Sequence, residues 1–579
     1  LYDFIKIIFS VELSFMENTN IVQSESNQHL AQVTDDINVL IIGLYTYFNV
    51  PVRILHPLAG RINGVKAHTI FYKNYDSNLF SLPTEKEENL FLETIIKIKP
   101  KIVAISLLSP YVLIAKRLTE LVKKHSDAIV VWGGVGPTIT PDEHIKLTDI
   151  ICIGEGERSF EELIIAVRDQ KNYSNIKNLW INDQGKITKN PQGPLIQELD
   201  TLPFAEYGNK NMYFIEQNKL SREDPELDHN ILYLQSTRGC PYSCSFCVET
   251  MYHDIYKGLG KFVRRRSVDS IIEEVNLHLK RPGNKKKRVY FIDEVFGSAP
   301  GFIEEYSERF PKEVGVPFDV LYHPKSLKVK TIEKLAHAGV AEINFGIQTG
   351  SDNIRNEVFT RPGTNAEIIE LTNEISKFDI KIRYDLILDN DFETKETLKE
   401  CVNLILQLPK PVIFNTFSLQ HFPDYPMTHL ALEAGHITEE ELEDWPTMMR
   451  RTTENWKFIP RWKKRKKTRT KQLQRLNNVI WMMCWNHVSD KTVKYAVFEK
   501  GIFAKIVFHY INLKSVLLWS IWGEGGLLHR ASFRFRALTY PLAAIKLILN
   551  GDFNQLADKI RDKAIKPFKK YANSRNLGS

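Results

Sequence analysis

Three cysteines fall within eight residues, in Arg238-Gly-Cys240-Pro-Tyr-Ser-Cys244-Ser-Phe-Cys247. The CxxxCxxC spacing is metal-ligand spacing, not a disulfide framework, because the 579-residue chain has six cysteines in all. Three thiolates in one short loop can each ligate one iron of a four-iron cluster and leave the fourth iron open, and cysteine is the usual ligand of such clusters. A structural zinc site is the other reading. Zinc sites generally use two CxxC pairs or Cys/His pairs, and no second pair is present. A cluster with an open iron needs a reducing compartment, which implies a cytoplasmic chain.

Such a loop must be positioned by its neighbours. It follows an apolar strand at 231–236, the first of a series at 288–292, 317–321, 342–347, 381–387 and 412–418. Helical patterns lie between them at about 269–280, 302–309, 329–337, 365–376 and 394–406. Six successive β/α units predict a partial (β/α)6 barrel, whose chemistry sits at the C-terminal strand ends. Upstream, strands at 37–42, 67–72, 102–106, 128–132 and 149–153 alternate with helices and end in glycines such as Gly43, Gly133-Gly134 and Gly154. That pattern predicts a doubly wound, Rossmann-like parallel sheet with a ligand crevice at its strand ends. The fold class is therefore α/β. Residues 1–36 read as a disordered or non-native leader, with Leu1–Phe15 preceding the first methionine, Met16. Residues 37–170 form the first domain, 171–228 a connector with little regular structure, 229–424 the barrel, and 425–579 a helical domain that caps the barrel mouth and sets substrate choice.

With these motifs in order, the chain resembles the cobalamin-binding branch of the radical S-adenosylmethionine (SAM) enzymes, and its class B methyltransferase-like members in particular. The resemblance implies a [4Fe–4S] cluster on Cys240, Cys244 and Cys247 that cleaves SAM, with Phe246 near the adenine. Tyr290-Phe-Ile-Asp293-Glu294-Val-Phe296 is similar to the second-strand segment, which implies that Asp293 and Glu294 lie beside SAM. Asn344-Phe-Gly346-Ile-Gln348-Thr-Gly350-Ser351 is similar to the fourth-strand motif, which implies SAM contacts from Gln348 and Ser351. Gln348 stands where many relatives have Glu, and an amide can still donate and accept. Tyr384–Thr394 matches the fifth-strand segment, with Asp389-Asn-Asp391 where many relatives have Gly-x-Pro. In the first domain the resemblance implies cobalamin contacts from Ser106, Gly133, Gly134, Thr138, Gly154 and Glu155. The small residues would let a corrinoid approach, and Ser106 and Thr138 would bond its nucleotide tail. The Asp-x-His-x-x-Gly motif that brings histidine to cobalt is missing. His56 precedes Gly60 without a matching Asp and reads as a loop histidine, so no histidine ligand on cobalt is expected.

Composition excludes global disorder, with 43% apolar and 25% charged residues. A net charge of +7 is modest for this length and does not call for nucleic acid. The basic run 461–471 reads first as a solvated face, then as a contact for anionic lipid headgroups or a phosphorylated substrate. Stretches 502–522 and 535–549 are amphipathic and could lie in a membrane interface, although packing on the barrel is favoured. No apolar run reaches the roughly 18–20 residues that span a bilayer. Cys152, Cys401 and Cys484 read as buried, inert thiols. The expected activity is methylation of an unactivated carbon with SAM, a [4Fe–4S] cluster and methylcobalamin. Oxidative cyclisation or rearrangement is the alternative outcome, and a non-catalytic corrinoid-binding sensor the alternative class. The expected partners are an organic substrate, lipid or phosphorylated, and a reductant such as flavodoxin or ferredoxin. The chain is expected to act as a monomer, with peripheral membrane contact as an option.

Overall fold

A computed structural model describes residues 36–74, 82–298, 301–388, 390–443, 471–484 and 487–522. The leader, Asp389, Trp485, almost all of the basic run 461–471, and the stretch 535–549 lie outside these described residues.

The first sheet is centred on β1 (Ile37–Leu44), flanked by β2 (Val65–Tyr72) and β3 (Ile102–Ser106), with β4 (Ile129–Gly133) and β5 (Ile150–Cys152) beyond β3, all parallel. Its strands are continuous apolar runs because both faces are covered. Leu40 and Ile42 pack with α2 (Glu85–Ile98) and α3 (Val112–His125), whereas Val39 and Ile41 pack with α1 (Val50–Gly60) and α4 (Glu157–Arg168).

The 171–228 segment departs from the expected irregular connector. It contributes four strands, which extend the same sheet to nine: β6 (Leu179–Asp183), β7 (Lys186–Lys189), β8 (Met212–Glu216) and β9 (Lys219–Ser221). β6–β7 and β8–β9 are hairpins closed by Gln184-Gly185 and Gln217-Asn218, all four residues at positive φ, as tight two-residue hairpin turns require. β7 is exposed throughout, so no apolar alternation marks it.

The second sheet holds six parallel strands in sequence order: β10 (Ile231–Leu234), β11 (Arg288–Phe291), β12 (Phe318–Tyr322), β13 (Val340–Gln348), β14 (Lys381–Leu388) and β15 (Ile413–Ser418). This is the expected open barrel. Alternate residues such as Leu232, Phe291, Val320, Phe345 and Tyr384 join one core with the covering helices. The other face is polar: Asp385 accepts from Asn344 Nδ2 (3.2 Å) and Asn415 Nδ2 (2.8 Å), and Arg383 pairs with Glu342 (2.5 Å). Of the covering helices, α5 (Val248–Ile255) and α10 (Lys395–Gln407) matter most for the site, with α6 to α9 at Val268–Leu279, Phe302–Glu313, Val329–Ala338 and Asn365–Ile375.

After the short α11 (Pro426–Glu433) come α12 (Lys471–Cys484), α13 (Asp490–Phe498) and α14 (Ile502–Trp522). Leu476, Ile480, Val493 and Ile511 of these helices join the barrel core, and α12 packs on α10 and the edge strand β15. The described part of the C-terminal region thus lines the flank of the barrel, where it covers an edge strand. The remainder of the expected cap falls at 444–470 and 523–579, outside the described residues.

Candidate functional site

The chain leaves β10 and enters the cysteine loop through Ser236 and Thr237. Both are clamped by Asp293, just past the end of β11. Its fully buried carboxylate accepts from Ser236 N (2.6 Å), Thr237 N (3.1 Å), Thr237 Oγ1 (2.9 Å) and Ser236 Oγ. Burial pushes the Asp293 carboxyl up to about 6 against the pull of those bonds. Expected as a SAM contact, Asp293 instead spends both oxygens on holding the loop entrance. Gly239 is at φ +87°, and a Cβ there would collide with the Phe262 carbonyl, so only glycine lets the chain turn into Cys240.

All three cysteines are free, Cys244 buried and the other two half-buried. Cys240 N donates to Glu249 on α5 (3.1 Å), and Cys247 N to the Cys244 carbonyl (3.0 Å). The sulfurs are met by donors: Tyr242 N–H at Cys240, Glu249 N–H at Cys247, and Arg361 Nη1 at 3.3 Å from Cys244 Sγ. Burial pushes the Cys240 and Cys247 thiols up to about 12. Buried, unbridged thiols ringed by N–H donors suit a cluster, whose sulfurs are tuned by such bonds.

Glu294 has a buried Oε2 without a partner, and burial together with nearby Glu249 pushes its carboxyl up to about 8. Unlike Asp293, it has an oxygen to offer a bound group. Gln348 ends β13 at φ +62°. Gly350 faces the Cys401 backbone of α10, which a Cβ would strike. The Ser351 hydroxyl is buried and unpartnered. Two arginines that the sequence reading passed over set this loop. Buried Arg355 donates to Ile347 O (3.3 Å), Asn365 Oδ1 (2.8 Å) and the Thr349 carbonyl. Arg361 donates to Gly346 O (2.7 Å) as well as reaching Cys244, and so ties β13 to the cysteine loop. Phe246 lies edge-on to Phe359 at 5.0 Å, against an apolar cluster that includes Ile387, Leu419 and Met427. That surface would offer an apolar face to the plane of an aromatic heterocycle.

Two histidines at the strand ends were also missed. His323, after β12, stacks on Tyr242 at 3.7 Å, its Nδ1 accepting from Lys325 N. Burial pushes it down to about 2, so it is neutral, with a buried, unpartnered Nε2. His421, after β15, bonds Asp391, after β14, at 2.6 Å; both are nearly fully buried, and His421 Nδ1 has no partner. Isolated histidines in loops carry no spacing signal.

In the first domain, Ser106 and Gly133 are register partners at the ends of β3 and β4. Gly134 is at φ +98°, where a Cβ would come 2.9 Å from Leu107 O. At these strand ends Gly133 has only the Cys152 Cβ near its own Cβ position (3.8 Å), Leu108 is 48% exposed and Tyr45 stacks on Tyr111 (4.7 Å), so small and apolar groups would meet a bulky corrinoid there. Thr138 is otherwise engaged. It donates to Gly134 O (2.7 Å) and accepts from Gly154 N (2.9 Å), so it splices two loops rather than offering a free hydroxyl.

Gly154 and Glu155 require a different role from the one expected. A Cβ on Gly154 would collide with Tyr256 Oη of the barrel. The Glu155 carboxylate accepts from Arg264 Nη1 (2.8 and 2.9 Å), Arg238 Nη1 (3.2 Å) and Ile196 N (2.9 Å), and Glu157 accepts from Arg238 Nη2 (2.6 Å). These residues join the loop after β5 to the short antiparallel ribbon of Thr237–Arg238 and Arg264–Arg265, and Arg238 is two positions from Cys240. Phe48 stacks on Tyr233 of β10 at 4.5 Å, and Phe422 packs into the core beside Tyr45 and Tyr111, so barrel-mouth loops meet the crevice. His56 lies within α1, not in a loop. It bonds Thr69 Oγ1 at 2.8 Å, and burial pushes it down to about 4. Cys152 and Cys401 are buried and pushed up to about 12 by burial.

The Radical SAM superfamily profile matches residues 234–405, and the B12 binding domain profile matches residues 74–164. An uncharacterized methyltransferase of Pyrococcus horikoshii is 24% identical over 54% of this chain and 65% of its own length. An anaerobic magnesium-protoporphyrin IX monomethyl ester cyclase of Cereibacter sphaeroides is 24% identical over 53% of this chain and 49% of its own. The chain thus spans less than two thirds of either relative. The structure of the cobalamin-dependent SAM radical enzyme OxsB, with aqua-cobalamin and SAM bound, superposes with a TM-score of 0.58 at 15% identity, covering 95% of this chain and 88% of that one. The fold is shared, and the chain carries a radical SAM domain behind a B12-binding domain.

Proposed function

We propose that this cobalamin-binding radical SAM enzyme transfers a methyl group to an unactivated carbon of an organic substrate. The observation that supports it most is the seam of Glu155 and Glu157 with Arg238 and Arg264, which fixes the cysteine loop to the loop after β5. The cluster, SAM and cobalamin supply, when bound, the one-electron and methyl-transfer chemistry. The protein's share is placement. Cys240, Cys244 and Cys247 hold the cluster, and Asp293 and Gly239 set the loop that carries them. Phe246 offers a face to the adenine, while Glu294, Gln348 and Ser351 offer polar atoms to SAM. Ser106, Gly133 and Gly134 line the corrinoid crevice. Burial of the site keeps water from a reactive species that must meet only its target. The substrate is an organic molecule, lipid or phosphorylated, and electrons come from a flavodoxin or ferredoxin.

The test is anaerobic reconstitution with iron, sulfide, cobalamin, SAM and a low-potential reductant. Cleavage of SAM is expected from the wild type and none from Cys244→Ala. With substrate, the product should gain one methylene unit. SAM consumption with a product that is cyclised but not heavier would replace methylation with the cyclase outcome. Failure to cleave SAM at all would leave only the sensor reading.

A further inference from the structure

α14 is apolar on two opposite sides. Its inner side carries Ala504, Val507, Phe508 and Ile511, which pack towards the barrel core. Its outer side carries Ile502, Phe503, Ile506, Tyr510, Leu513 and Leu517, between 53% and 71% exposed. At 100° per residue these six fall within an arc of about 100° centred opposite Phe508, a stripe running over four turns. Tyr495 and Phe498 of α13, which packs on α14, are also exposed. A patch of this kind on an otherwise well-packed protein marks an interaction surface.

We propose that this stripe docks into the surface of an anionic lipid bilayer, with α14 lying in the plane of the interface. Charge selects that occupant. α14 contains two lysines and no acid, and residues 471–522 contain seven Lys and Arg against two Asp and Glu. Lys491, Lys494, Lys500 and Lys505 are exposed around the apolar residues. Residues 523–579, the chain that follows, hold eleven Lys and Arg against four acids. A second copy, or that following segment, would therefore bring like charges against the stripe. A negatively charged headgroup layer brings opposite ones and accepts the apolar side chains beneath it. Among the described residues no helix is long and apolar enough to cross a membrane, so the contact lies on the bilayer and does not span it. The inference stands apart from the reaction proposed above, because neither the cluster nor SAM takes part in it.

The test is co-sedimentation of the full chain with vesicles of phosphatidylcholine alone and of three parts phosphatidylcholine to one part phosphatidylglycerol. Binding is expected to the anionic vesicles and to weaken with added salt. Phe503→Glu with Leu513→Glu should lower the bound fraction about tenfold. Both positions are exposed, so circular dichroism and the thermal midpoint should not change. Lys500→Gln with Lys505→Gln should weaken binding to anionic vesicles only. The proposal is overturned if wild type and the Glu variant bind alike or neither binds. It is equally overturned if light scattering shows a dimer that the Glu variant dissolves, which would give the stripe to a second copy.

Discussion

Asp293 offers a sharp separation between bracing the cysteine loop and touching SAM. Its replacement by alanine strands two buried backbone donors, Ser236 N and Thr237 N. The Ser236 and Thr237 hydroxyls can turn elsewhere, but the amides cannot. At about 1–3 kcal/mol per buried unsatisfied group, Asp293→Ala should cost about 2–6 kcal/mol, a large share of a typical folding free energy of about 5–15 kcal/mol. Asp293→Asn behaves differently. Its Oδ1 keeps both amide bonds, and its Nδ2 can donate to hydroxyls that reverse from donor to acceptor. The cost should stay below about 1.5 kcal/mol. Urea unfolding of the metal-free chain gives both values, and iron content after reconstitution reports loop integrity. Asp293→Asn should bind cluster and SAM nearly as well as wild type, while Asp293→Ala should lose most of its iron. Equal destabilisation by both replacements would refute the bracing argument. A stable Asn variant with normal iron but abolished SAM binding would restore the direct contact that the strand motif implied.

Three further outcomes follow from the same geometry. Glu155→Ala leaves Arg264 buried without its partner and should cost about 3–5 kcal/mol; hydrogen exchange should rise across 238–247, and unchanged exchange there would dissolve the seam. Gly350→Ala forces a Cβ into the Cys401 backbone and should lower the thermal midpoint by several degrees, with unfolding cost of about 1–3 kcal/mol or more, whereas Gly283→Ala meets no atom within 4 Å and tests only its positive φ. Burial holds His56 and His278 down to about 4. With folded values below the unfolded value of about 6.5, the unfolded chain binds more protons between them. Their contribution is therefore whole above pH of about 6.5 and is lost as pH falls towards about 4. The urea midpoint should drop across that window, and His56→Gln should flatten the slope.

What was legible in the sequence was whatever is local. The cysteine loop shows by spacing alone, and the eleven strands with apolar runs or β/α rhythm fall within a few residues of where they were expected. The four that were missed, β6 to β9, are short and partly charged, and their turns are marked only by Gln-Gly and Gln-Asn pairs at positive φ. The residue types at the site were legible too, but their partners were not. A carboxylate after the second barrel strand looks the same in sequence whether it faces SAM, like Glu294, or turns inward to two amides, like Asp293. Sequence pattern could not distinguish them because the difference lies in contacts across 56 and 57 residues.

The Gly-Glu-Gly-Glu segment shows the same limit with a larger consequence. Read locally, a glycine and an acid at a strand end suit a ligand crevice. In the fold they meet Tyr256, Arg264 and Arg238 of the barrel domain, across 81 to 109 residues. Asp293 fixes the cysteine loop from behind, Arg361 from the β13 side, and Glu155 with Glu157 from the neighbouring domain. Those three anchors come from three separate parts of the chain, and each bonds a residue of the loop itself or one within four positions of Cys240. A loop held from three sides has little freedom to shift relative to the crevice. Loosening the seam anchor, which alone comes from the neighbouring domain, should therefore change how well the two cofactor sites face each other before it changes what either site can bind. The distinguishing measurement is Glu155→Gln, a milder change than the alanine. Normal iron and normal corrinoid binding together with SAM cleavage that no longer yields product would place the effect in the seam. Loss of corrinoid binding would mean instead that Glu155 reaches the crevice directly.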